Sequence, residues 1–249
     1  MQINPMEQFR VEPIIPLHIA GYDVSFTNQA LVMCVVVAAI SIFMFIAASG
    51  RKLVPSRTQS LAEISYEFVG DMIHSAAGEE GFKFFPFVFT IFFFVLFSNF
   101  FGLIPGVFTV TSQIAVTFAL AMLVILAVII TGFMRHGIGF LKLFVPHAPW
   151  YLLILLIPIE VISFLTRPIS LSVRLFANML AGHTMLAVFA GFVVALGTAG
   201  ALAPLALAPM LLIVAIMLLE LLVAFLQAYV FAILTCIYLN EALHLHDHH

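Results

Sequence analysis

Arg174 stands in the run LSVRLF, residues 171–176, a permanent positive charge among side chains that belong in hydrocarbon. On the same apolar stretch Glu160 and Arg167 precede it at seven-residue intervals, and Asn178 follows four residues later. Such steps keep side chains on one slowly drifting stripe of a helix, so these four share a side. His183, nine residues past Arg174, points the opposite way at about 100° per residue. The last apolar stretch carries a second row, Glu220 and Gln227, again seven apart, with Glu241 near its end. Carboxyl and imidazole groups exchange protons, whereas a guanidinium in a protein does not. The set therefore has the chemistry of proton transfer arranged about a charge that cannot be neutralised. Each charge at the centre of a membrane costs about 2.5–3.5 kcal/mol on insertion scales, so several together need partners, water or a task.

Structural roles compete at each position. Arg167 and Glu160 suit an ion pair or interface anchors, His183 and Glu220 suit a hydrogen bond that locks two helices, and Asn178 and Gln227 suit interhelical amide contacts. Arg174 differs, because no carboxylate lies within a helical turn of it. Its partner must come from elsewhere. Other chemistries find little support: the chain has no HExxH, GxSxG or GxxxxGK[ST] motif, so metal-dependent hydrolysis, a nucleophile elbow and a phosphate loop are not indicated. No cofactor or resident metal is expected. The tail histidines His244, His246, His248 and His249 have ligand composition but read first as a solvated tail. Cys34 and Cys236 fall in apolar runs as ordinary packing thiols.

The elements that must position these groups follow from composition. Of 249 residues 64% are hydrophobic and 8% charged, against about 45–50% and about 25% in soluble chains. With a mean hydropathy of +1.21 and apolar runs beyond the roughly 18 residues needed to cross hydrocarbon, the chain belongs in lipid. Nothing points to nucleic acid. Residues 1–27 carry Glu7, Arg10, Glu12 and Asp23 with three prolines and no apolar h-region, which reads as a retained polar arm. The fold expected is an all-α integral membrane protein in a single transmembrane domain, with five membrane helices and one amphipathic surface helix.

Spans are expected at about 28–48, 84–101 and 113–133, the second rich in phenylalanine and closed by Gly102, Pro105 and Gly106. Between the first two, about 56–80, Leu61, Ile64, Phe68, Met72 and Ile73 repeat at helical spacing with Glu63, Glu67, Asp71 and His74 elsewhere, the pattern of a helix lying on the membrane surface. The last two stretches, about 150–192 and 205–240, are separated by the Gly- and Ala-rich segment near Gly197–Ala203. A continuous helix of about 33 residues is roughly 50 Å long against hydrocarbon near 30 Å, so these helices must tilt strongly. The basic groups Arg51, Lys52, Arg57, Lys83, Arg135, His136 and Lys142 all fall on one side if the N-terminus is outside and the C-terminus inside.

The segments RPISLSVRLFANMLAGH, Arg167–His183, and ELLVAFLQAYVFAILTCIYLNEA, Glu220–Ala242, closely resemble the a subunit of F-type ATP synthases, and the likeness extends over nearly the whole chain in span order. The resemblance implies a proton-conducting stator subunit in a bacterial inner membrane, beside a ring of c subunits and held by b-type peripheral stalk subunits. By the same resemblance it would bind no nucleotide and perform no catalysis alone. By resemblance Arg174 faces the ring's carboxylates, where an opposite charge favours release of each proton. Asn178, His183, Glu220 and Gln227 line or border the outside access path, and Glu160 and Glu241 the inside one, with Arg167 in support. Many bacterial relatives carry a carboxylate where this chain has His183 and a histidine where it has Glu220; the exchange seen here matches the mitochondrial form. An ion-coupled secondary transporter is the alternative, although such folds show repeated halves and broken helices that this sequence lacks.

Overall fold

A computed structural model describes residues 10–16, 18–19, 22–23, 25–49, 56–104, 106–144, 150–198 and 204–243. Arg51, Lys52, Pro105, most of the Gly- and Ala-rich linker and the tail histidines lie outside these residues. Among them five helical stretches are long and apolar enough to cross a membrane. The chain order begins with short strands β1 (Pro13–Ile15), β2 (His18–Ile19), β3 (Tyr22–Asp23) and β4 (Phe26–Thr27), followed by helix α1 (Asn28–Ser49). The polar arm is thus partly folded: β1 pairs antiparallel with β4 and β2 with β3. Asn28 ties it to α1 by donating from its amide to the Arg10 carbonyl while accepting from the Glu12 N–H, at 3.1 and 3.2 Å.

Helix α2 (Arg57–Gly81) starts at Ser56, whose hydroxyl caps the Gln59 N–H. Its buried residues are Val69, Met72, Ile73, Ala77 and Gly81. This differs from the face expected: Leu61 and Ile64 are exposed, and burial begins only in the second half. The charged side, Glu63, Glu67, Asp71 and His74, is exposed throughout. At Gly78 the backbone turns to φ 65°, which breaks the helical path and is open to glycine at no steric cost. A single 3₁₀ turn, Phe82–Phe84, leads into α3 (Phe85–Gly102). After a turn at Val110–Ser112 the chain enters α4 (Ile114–His136) and a 3₁₀ segment, Gly137–Phe144. Of the last two helices, α5 (Trp150–Gly197, 48 residues) runs longer than expected, whereas α6 (Leu207–Leu243, 37 residues) keeps the expected length and lies two to three residues further along the chain. At 1.5 Å per residue their contours are about 70 and 55 Å, well over the hydrocarbon thickness.

Contacts divide the chain into two compact units, each drawn from three stretches. The first joins residues 1–43, 93–113 and 175–228. Rings of Phe43, Phe93 and Phe97 meet there with centroids 5.9–6.2 Å apart, and Ala224 and Ala228 are fully buried on α6. In lipid, small residues and ring packing supply the cohesion that water-driven burial supplies elsewhere, at about 0.5–1.5 kcal/mol for an aromatic pair.

The second unit joins residues 44–92, 114–174 and 229–249. Phe68 of α2 packs on Phe92 and on Tyr229, each at 5.8 Å. On α4 the buried stripe is Thr117, Ala121, Val124, Ile125, Val128 and Gly132. The 3₁₀ segment folds back so that the Phe140 ring lies on Gly132, where a Cβ would collide with it. Arg135 pairs with Glu80, and His136 Nε2 lies 3.2 Å from the Leu243 carbonyl, so α4 and α6 end side by side.

Candidate functional site

The ionisable and amide residues singled out on α5 and α6 fall into both units. Glu160, Arg167, Arg174 and Glu241 belong to the second; Asn178, His183, Glu220 and Gln227 belong to the first. Each group has its own construction.

In the second unit, helix α5 buries Phe164, Pro168, Leu171 and Ser172, spaced as one helical stripe. Arg167 and Arg174 sit on the flank of that stripe. Arg167 is anchored: it forms an ion pair with Glu241 of α6, and its guanidinium lies 5.5 Å from the Phe164 ring centre and 5.0 Å from that of Tyr238. Planar guanidinium against aromatic faces is a favourable stacking arrangement, unavailable to lysine in the same form. Glu160, half-buried, makes no ion pair among the described residues. The pairing that its spacing to Arg167 allowed is therefore replaced by one with Glu241. Arg174 is exposed and has neither an ion pair nor a hydrogen bond among the described residues. It lies on a helix many of whose other exposed residues, such as Leu165, Ile169 and Val173, are apolar.

In the first unit the polar groups are held by elements that residue type alone did not single out. The Glu220 carboxyl lies against Gly182, the neighbour of His183: a Cβ there would stand 2.7 Å from its Cδ and 3.1 Å from its Cγ, and closer still to Oε1. Glycine at this position makes room for the carboxyl. Glu220 Oε2 is buried without a hydrogen-bond partner among the described residues, an oxygen suited to water or to a proton. His183 Nε2 lies 3.2 Å from the hydroxyl of Thr109, in the connection between α3 and α4. Asn178 and Gln227 are half-buried.

Around Thr109 lies an uncharged polar cluster that sequence reading passed over. Asn99 of α3, 0% exposed, donates to the Ala224 carbonyl of α6 at 3.1 Å and accepts from the Thr111 hydroxyl at 2.8 Å. Ser98, Thr111 and Ser112 are buried as well. The available signal was the interruption of a phenylalanine-rich span by Ser98-Asn99, and the run Thr109–Gln113 directly after it.

Comparison with known proteins decides the family. The family described as "ATP synthase A chain" matches residues 30–240. ATP synthase subunit a of Mesorhizobium japonicum is 58% identical over 250 residues, covering 98% of this chain and 97% of that protein. That of a Chelativorans species is 60% identical over 246 residues, covering 98% and 99%, and that of Sinorhizobium medicae is 56% identical over 250 residues, covering all of both. The chain belongs to the ATP synthase A chain family. It is accordingly a membrane component of an ATP synthase and has the proton-translocating, stationary role of the membrane sector. Membership sets aside the secondary transporter considered above.

Proposed function

We propose that the polar residues of α5 and α6 form two offset proton half-channels that meet a ring of c subunits at Arg174. Asn178, His183, Glu220 and Gln227 form the path from the outside face, Glu160 and Glu241 the path from the inside face, and Arg167 supports the inner group. The chain acts as one transmembrane domain of a bacterial inner membrane, with its N-terminus outside and C-terminus cytoplasmic, fixed to b-type stalk subunits. Basic residues at the ends of spans agree with that orientation, as does the meeting of His136 with the Leu243 carbonyl.

The single observation that carries this reading is Arg174 itself, exposed and without an ion pair among the described residues. A ring carboxylate arriving beside it gives up its proton to one path, because the guanidinium favours the ionised form. The same fixed charge bars protons from passing between the paths. Each proton then moves down the membrane potential with a gain of about 2.3 kcal/mol per 100 mV, taken up as ring rotation.

Arg174→Ala in the assembled enzyme should abolish ATP-driven proton pumping; pumping at the normal rate would refute the reading. Water accessibility of single cysteines placed along α5 and α6 tests the inner assignments, and Glu160 or Glu241 positions sealed from the cytoplasmic side would remove them.

A further inference from the structure

We propose that Thr109 is a positioning residue for His183, holding its Nε2–H in place so that the proton in transit is gained and lost at Nδ1. This rests on the reading of His183 as part of the outer path. Thr109 is 3% exposed, and its hydroxyl has one hydrogen and two lone pairs. The Gly102 carbonyl at the end of α3 lies 3.4 Å from the hydroxyl oxygen and offers an acceptor for its hydrogen, while His183 Nε2 lies 3.2 Å from the same hydroxyl oxygen. In the arrangement proposed, the hydroxyl hydrogen goes to that carbonyl and Nε2 is the donor. That assignment fixes the neutral tautomer as Nε2–H and leaves Nδ1 as the basic nitrogen.

The arrangement also survives protonation. An imidazolium carries N–H on both nitrogens and cannot accept, so a hydroxyl donating to Nε2 would lose its bond whenever the ring charged. A hydroxyl that accepts keeps it in both states. A proton taken up at Nδ1 from one neighbour in the path is passed from Nδ1 to another, while the Nε2–H bond stays intact.

The structure around Thr109 is built to hold this oxygen still. The Ser112 hydroxyl and N–H both donate to the Thr109 carbonyl, at 2.6 and 3.2 Å. Its methyl packs against Gly102, 2.7 Å from where a Cβ would stand. On the facing helix the Glu220 carboxyl lies against Gly182, the chain neighbour of His183.

The test uses the assembled enzyme in inverted membrane vesicles. Thr109→Val should slow ATP-driven proton pumping on the order of tenfold, the scale set by a small misplacement of a reacting group, and Thr109→Ser should restore it. Wild-type rates in Thr109→Val, with His183→Ala impaired, would overturn the proposal while leaving His183 in the path. Normal pumping by His183→Ala would instead overturn the reading of His183. Independently of any variant at Thr109, ¹⁵N spectra of histidine-labelled wild-type enzyme, with His183 assigned by difference from His183→Gln, should show neutral His183 protonated at Nε2. A proton on Nδ1 in that spectrum would overturn the proposal.

Discussion

Glu241 of α6 closes an ion pair with Arg167 of α5, and the rings of Phe164 and Tyr238 flank the guanidinium they share. The two side chains are 17% and 29% exposed, so the pair stands between a surface bridge, worth about 1 kcal/mol or less, and a buried one, whose breakage costs about 3–5 kcal/mol. Arg167→Met should destabilise the chain by about 2 kcal/mol on this scale. The double variant Arg167→Met, Glu241→Met should recover part of that loss, since it leaves no uncompensated charge. Thermal denaturation of the detergent-solubilised complex measures both; equal stability of single variants and wild type would show that the pair contributes nothing.

Gly182→Ala should displace the Glu220 carboxyl, because the new methyl would occupy its place. The obstructed atoms end a flexible side chain, so the complex should still assemble. Proton pumping should fall on the order of tenfold to a hundredfold, as expected when a reacting group is moved by about an ångström. Shortening the carboxylate in Gly182→Ala, Glu220→Asp should restore part of the rate. Unchanged pumping in Gly182→Ala would mean that this position of the carboxyl is not the working one.

His183→Glu combined with Glu220→His should pump faster than either single variant. A histidine beside a carboxylate relays protons in either order, whereas two carboxylates or two histidines oppose one another when both are charged. Losses that simply add in the double variant would argue against a coupled pair.

Gly132→Ala should destabilise the second unit by about 1–3 kcal/mol, the usual cost of forcing extra volume into a packed site. The Phe140 ring covers this glycine. Phe140→Ala in the same chain should relieve the clash but leave a cavity. Protease susceptibility of the segment after α4 reports the outcome, and no change with Gly132→Ala would place the ring elsewhere in the native protein.

Much of this architecture was legible because lipid is an unforgiving solvent. Apolar length marks a crossing almost directly, so the bounds of α1, α3 and α4 lie within three residues of those expected. Charges on α5 and α6 stood out for the same reason: in hydrocarbon an ionisable group is too costly to be incidental. Partners were harder. Arg167 and Glu160 are seven residues apart, a separation of about 10 Å along a helix, and the ion pair formed instead with a residue 74 positions later. Thr109, Asn99 and Gly182 escaped notice because an uncharged hydroxyl, an amide or a missing side chain carries little cost by itself. Their roles exist only once α3, α5 and α6 are brought together. The exposed Leu61 and Ile64 show a related limit, since periodicity reveals an apolar face without saying which part of it protein will cover.

Arg174 has one more consequence, for biogenesis. An exposed guanidinium with no ion pair among the described residues carries its insertion penalty, about 2.5–3.5 kcal/mol, for as long as the chain stands alone. Docking against the proposed ring would relieve it. The newly made chain is therefore least settled in the bilayer before assembly, and synthesis without its oligomeric companions should yield short-lived protein. Arg174→Leu should lengthen that lifetime while ending function, the trade imposed when one residue is kept ready for a neighbour that has not yet come.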